Sequence, residues 1–176
     1  MRLELVPPAA IHHATFMAAA REFREEGLPW WIGGDLVLAE RDFAAFVAKK
    51  RGDAERRDDG FVPTTHRWAL VEGEMVGRIS VHHALNDALR MEGGHIGYDT
   101  VPSWRGRGVA SEMLRQVLPL ARELGLDEVL LTCNDDNAAS IRVIEKNGGV
   151  LQATKVLGEG RPLKRHYTID CRRVGS

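Results

Sequence analysis

The chain has 176 residues, 44% of them apolar, and a formal net charge of −1, enough for one hydrophobic core. Nothing in the bulk charge draws it to nucleic acid or an anionic membrane. Cys133 and Cys171 lie far apart without metal-ligand spacing and read as reduced thiols. The opening MRLELVPPAAIHH lacks the apolar centre of a secretory signal, and no apolar run nears the ~20 residues that span a bilayer. The expectation is a single cytoplasmic domain over residues 1–176.

In chain order, Leu3–Val6 predicts a short strand stopped by Pro7 and Pro8. Ala9–Glu26 predicts one helix, because Ile11, Phe16, Ala19, Ala20 and Phe23 recur at helical intervals. A Gly/Pro loop follows with Trp30 and Trp31, which either anchor it in the core or cover an acceptor pocket. Leu38–Lys50 predicts a second helix with Phe43, Phe46 and Val47 on one face. The charged run from Arg51 to Gly60 is a solvated connector. His66–Val71 and Met75–Val81 predict strands joined across Glu72-Gly73-Glu74. His82–Glu92 is a polar excursion at the sheet edge, and His95–Val101 is a strand ended by Pro102.

Val109–Leu124 predicts a helix closed by Gly125. An interior proline costs about 3 kcal/mol unless the helix bends, so Pro119 predicts a kink near Arg115. Glu128–Cys133 is a buried strand, and Ala138–Lys146 a helix capped by Asn137. Val150–Leu157 and Leu163–Ile169 form a final hairpin, a candidate surface for pairing subunits into a homodimer. The order predicts an α/β fold with one parallel crossover among antiparallel strands.

The stretch SWRGRGVASEML, Ser103 to Leu114, sits between the strand ending at Val101 and the helix starting at Val109. The first N–H groups of a helix lack internal partners and favour an anion. Gly106 and Gly108 clear side chains from the approach, and Arg105 and Arg107 add donors that match phosphate geometry. Ala110 keeps the first turn slim, and Ser111 adds a hydroxyl. The Gly-Lys-Ser/Thr end of a P-loop is absent, and the dinucleotide pattern fails at Ser111, where its third glycine belongs. Two readings stand for the loop alone: a pyrophosphate cradle, or a glycine-softened turn with solvated arginines.

Taken with its surroundings, the sequence resembles the GNAT superfamily of acyl-CoA-dependent N-acetyltransferases. Arg105-Gly106-Arg107-Gly108-Val109-Ala110 matches the family's R/Q-x-x-G-x-G/A signature, and the segment from Asn134 to Gly149 resembles a second family block. The resemblance implies a mixed, mostly antiparallel central sheet with flanking helices, splayed between the fourth and fifth main strands to admit acetyl-CoA. Backbone groups around Tyr98, Asp99, Thr100 and Val101 would pair with pantetheine, the amides from Arg105 to Ser111 would hold the pyrophosphate, and Asn137 would lie near the pantetheine arm. The implied reaction is direct attack by a primary amine, of a small molecule or a peptide N-terminus, on the thioester. The rival reading is a non-catalytic acyl-CoA-binding sensor, because the family's usual tyrosine acid is replaced by Ile144.

Branches resembling the ribosomal-protein N-terminal acetyltransferases share that departure and carry a serine where Ser140 stands, so Ser140 is either a proton donor or a hydroxyl that helps Asn137 cap its helix. His95 and Asp99 share one strand face and are candidates for the base; a core histidine and a hydrogen-bonded carboxylate are the alternatives. His82, His83 and Asn86 either line the amine pocket or decorate an edge loop. His12 and His13 are adjacent and do not face one site, so no metal is expected.

Overall fold

The computed structural model describes residues 2–27, 35–55 and 60–173; Trp30 and Trp31 lie outside them. Four strands form one sheet in the order β1-β2-β3-β4: β1 (Leu3–Val6), β2 (Thr64–Val71), β3 (Glu74–His82) and β4 (Ile96–Thr100). Three more form a second sheet in the order β5-β7-β6: β5 (Glu128–Asn134), β7 (Lys164–Asp170) and β6 (Val150–Lys155). Every ladder is antiparallel. The expected crossover therefore makes no parallel ladder. β4 and β5 touch at one end, through a bridge between Gly94 and Leu131 and an N–H of His95 that donates to Leu130 O at 2.7 Å. From there β4 runs on to Thr100 and β5 to Asn134 with no ladder between them, which is the expected splay.

Alternation sorts the side chains of the first sheet onto two faces. Val76, Ile79, Val81 and Ile96 join the core beneath helix α5 (Val109–Glu123), with Met113, Leu114 and Val117 contributed by the helix. Trp68, Leu70 and Met75 face the other way, into an aromatic core with Phe16 and Phe23 of α1 (His13–Glu25) and Phe43 and Phe46 of α3 (Phe43–Gly52). Helix α6 (Ala138–Lys146) packs beside α5.

Three elements differ from the expectation for local reasons. The first helix opens as a 3-10 turn at Ala10–His12, and Ile11, expected on the apolar face, is 86% exposed. The second is two helices, α2 (Leu36–Arg41) and α3, because Asp42 leaves helical geometry and its carboxylate caps α3 by accepting from Ala45 N–H at 2.9 Å. The polar excursion contains a short helix, α4 (Asp87–Met91), capped by Asn86. Helix α5 continues through Pro119 as one element. Cys133 and Cys171 are buried free thiols, and burial pushes both up, Cys171 to about 11. Among the described residues no helix is long and apolar enough to cross a membrane.

Candidate active site

The turn that ends β4 is tied down before it reaches the glycines. Val101 is buried, its N–H donates to Val76 O at 2.9 Å and its carbonyl accepts from Trp104 N–H at 2.8 Å. Gly106 (φ 74°) and Gly108 (φ 82°) both occupy the left-handed region, which other residues enter at a cost of roughly 1–2 kcal/mol. A Cβ on either would meet nothing within 4 Å, so the space above both is open. Gly108 is the N-cap of α5 and offers no side-chain cap. The first amides of α5 therefore face that open space with the helix dipole behind them.

The cradle floors a cleft of about 440 Å³. One wall is the free edge of β4. His82 N–H donates to His95 O and Val101 N–H to Val76 O, so the odd-numbered residues of β4 turn their backbone groups toward β3. The backbone groups of Tyr98 and Thr100 turn toward the splay. Asp99 and Val101, expected to offer backbone groups there, do not: both face β3, and Val101 has spent its amide on Val76 and its carbonyl inside the turn. The facing wall is α6, with Asn137, Ser140, Val143 and Lys146 on the cleft.

Ser140 and Tyr98 meet inside it. Their hydroxyl oxygens are 3.0 Å apart. The α6 cap is made by Asn137, whose Oδ1 accepts from Ser140 N–H at 3.0 Å. The two readings of Ser140 thus separate: its amide is capped, while its hydroxyl is engaged by Tyr98. Burial pushes the Tyr98 phenol up to about 12, against the opposing pull of the Ser140 hydrogen bond, so it stays neutral. Ile144, where the family's tyrosine stands, is 1% exposed and in the core. Ser111 links α5 to α6, its carbonyl and Oγ accepting from Asn147 Nδ2 at 3.2 Å each.

Other expected residues are engaged elsewhere. Arg105 is held by Glu26 at 2.8 Å, lies over the Phe23 ring, and reaches Thr100 O at 3.4 Å. Arg107 stacks on Trp104, with 4.9 Å from its guanidinium to the ring. His95 lies at the closed end of the splay, where its Nδ1 accepts from Leu130 N–H at 2.8 Å. The lone pair a base would use is committed to joining the two sheets. Asp99 pairs with Arg78 at 2.8 Å. Sequence reasoning did not find Glu22, whose carboxylate accepts from Ser103 N–H and Oγ–H, nor Glu26; acidic residues on an exposed helix face carry no signal of a distant loop. It missed the side-chain contact of Tyr98 because its partner, Ser140, lies 42 positions away.

A splayed sheet with an open glycine turn at the head of a crossover helix defines a long open cleft lined by exposed helix amides. The profile of the Acetyltransferase (GNAT) domain matches residues 2–150, and the chain belongs to that family. The L-amino acid N-acetyltransferase AaaT of Escherichia coli is 29% identical over 87 residues, 49% of this chain and 53% of AaaT, so the chain spans about half the length of that relative. RimJ of Mycobacterium smegmatis, solved in complex with CoA-disulfide, has the same fold, with a TM-score of 0.71 at 18% identity over 99% of this chain and 84% of its own. The microcin C7 self-immunity acetyltransferase MccE, solved with acetyl-CoA and AMP, gives 0.65 at 13% identity over 96% and 92%.

Proposed function

We propose that this chain transfers the acetyl group of acetyl-CoA to a primary amine of a small molecule or a peptide N-terminus, by direct attack in a ternary complex. The observation that carries this reading is the cleft that joins the open cradle at Gly106–Ser111, the unladdered edge of β4 at Tyr98 and Thr100, and the Tyr98–Ser140 hydroxyl pair. The amides of Val109, Ala110 and Ser111 hold the diphosphate. Arg107 supplies charge at the rim. Tyr98 and Thr100 hold the pantetheine as an added strand, with Asn137 and Ser140 opposite.

The amine nitrogen forms its bond to the thioester carbon and gives up one proton to a base, the C–S bond breaks, and the sulfur leaves with the electron pair. Ser140 Oγ–H, oriented by Tyr98, donates to the departing sulfur. Tyr98 at about 12 is a weaker acid than a thiol of ordinary pKa, about 8.5, so the pair stabilises the thiolate by hydrogen bonding. Most of the acceleration comes from positioning and from a backbone donor to the developing oxyanion. A free amino group on an amino acid suits this reading, given the name of the Escherichia coli relative above. The exposed Val150 and Leu151 on β6, an edge strand, fit pairing of two copies.

The test is thiol release from acetyl-CoA with a panel of amino acids, polyamines and peptides, beside calorimetry with CoA. Turnover with at least one amine is expected. CoA binding without thiol release from any acceptor establishes a non-catalytic sensor instead; no heat at millimolar CoA removes the cleft reading altogether.

A further inference from the structure

The cleft uses one face of the first sheet; the other, beside its aromatic core, carries a run of half-buried polar side chains. The register sets three rows across β2, β3 and β4. Thr64, His82 and His95 form one; His66, Ser80 and Gly97 the next; Trp68, Arg78 and Asp99 the third. Gly97 is exposed at the edge of the splay, and a Cβ there would meet only Ser80 Oγ, at 3.7 Å. Gly97 thus leaves an opening on β4 between the first row and the third.

The hydrogen bonds fix a tautomer in the first row. Thr64 Oγ1 lies 2.9 Å from Val62 O and 2.9 Å from His82 Nδ1. A hydroxyl has one proton, and a carbonyl only accepts. The proton of Thr64 therefore goes to Val62 O, and His82 Nδ1–H must be the donor to Thr64. That leaves His82 Nε2 with its lone pair, and no hydrogen bond to it is made among the described residues. The neighbouring imidazoles differ: His95 Nδ1 accepts from Leu130, and His66 Nε2 lies 3.0 Å from the Asp53 carboxylate.

We propose that His82 is the general base of this transferase, its Nε2 receiving the proton of the acceptor nitrogen as that nitrogen attacks from the Gly97 side. This rests on the acetyl-transfer reading above and adds the acceptor face to it. As the N–C bond forms, the nitrogen becomes a strong acid; its proton passes to Nε2, and the C–S bond breaks toward the Ser140 side. His82 then returns the proton to solvent. Burial, reinforced by His66, His95 and His83, holds the imidazole down to about 4, so it is neutral at every pH where the amine is free. The charged groups on the same face are Arg78 and Asp99 in the third row, and Asp53 and Lys50 behind His66.

The experiment combines long-range ¹⁵N NMR of the imidazoles with kinetics on the best acceptor of the amine panel, in the wild type, His82→Gln, Thr64→Val and Thr64→Ser. His82 is expected as the Nδ1–H tautomer, switching in Thr64→Val and restored in Thr64→Ser. His82→Gln is expected to lose about 100-fold or more in kcat/KM with CoA affinity unchanged, and Thr64→Val to lose rate that Thr64→Ser recovers. An Nε2–H tautomer in the wild type, or a His82→Gln enzyme as fast as the wild type, overturns the assignment and leaves acetyl transfer standing. A wild type that binds no CoA or acetylates nothing removes the acetyl-transfer reading, and this inference with it.

Discussion

Tyr98 Oη and Ser140 Oγ stand 3.0 Å apart across the cleft, one on β4 and the other in the first turn of α6. The contact spans the splay, so it exists only when β4 and α6 are correctly placed. Tyr98→Phe removes the partner and leaves the ring and the β4 backbone in place. Acetyl transfer is expected to fall by roughly tenfold, the scale of one hydrogen bond near 1.4 kcal/mol, with CoA affinity retained. Ser140→Ala is expected to fall further, and the double variant by less than the product of the two, because both remove one unit. Steady-state thiol release on the four proteins checks this; multiplicative losses would show that the hydroxyls act separately.

Gly108→Glu addresses the cradle. Nothing in the protein obstructs a side chain there, so the fold tolerates it at about 1–2 kcal/mol for the left-handed backbone. The new carboxylate stands where a diphosphate must lie. Calorimetry is expected to show CoA binding lost while the circular dichroism spectrum is kept. Unchanged affinity would remove the diphosphate from the head of α5.

Glu26→Gln releases Arg105. The pair is half-exposed, and such pairs contribute at most about 1 kcal/mol to stability, so Tm is expected to change little. The freed guanidinium can turn to the diphosphate, and CoA affinity is expected to rise severalfold with a steeper dependence on salt. An affinity that falls would mean that Glu26 positions Arg105 for the ligand.

Gly94→Ala tests the hinge of the splay. Gly94 has φ 71°, and a Cβ there would overlap the carbonyl of Leu130. Backbone cannot give way cheaply, so a destabilisation of about 3 kcal/mol is expected from strain and overlap together. Urea unfolding measures it; a loss under about 1 kcal/mol would mean that the two sheets tolerate separation at this point.

The histidine face makes stability depend on pH. Burial holds His66, His82, His83 and His95 below the ordinary imidazole range, His82 at about 4. Between about 6.5 and 4 the unfolded chain binds more protons than the folded one, so stability is full above about 6.5 and lost as pH falls toward 4. Urea titrations at pH 7.5, 6 and 5 are expected to show the decline, and His82→Gln to flatten it. Stability that rises on acidification would contradict the buried neutral imidazoles.

The strand, tight turn and helix around Gly106 and Gly108 were legible in the linear chain, because apolar periodicity, helix caps and left-handed turns are set by residues a few positions apart. The same holds for Asn137 at the head of α6 and for the aromatic face of α3. The break at Asp42 falls inside the single helix expected from Leu38 to Lys50, although its signal is local, a capping aspartate before Phe43. Partners far apart in the chain were decided by the tertiary structure alone. Arg105 meets Glu26, His95 gives its lone pair to Leu130, Val101 spends both backbone groups in its own turn and on Val76, and Tyr98 finds Ser140, 42 positions away. A local pattern records which face of an element is apolar. Only the packed fold says which polar atom finds each donor, since burial makes an unmet hydrogen bond costly and the nearest partner in space takes it.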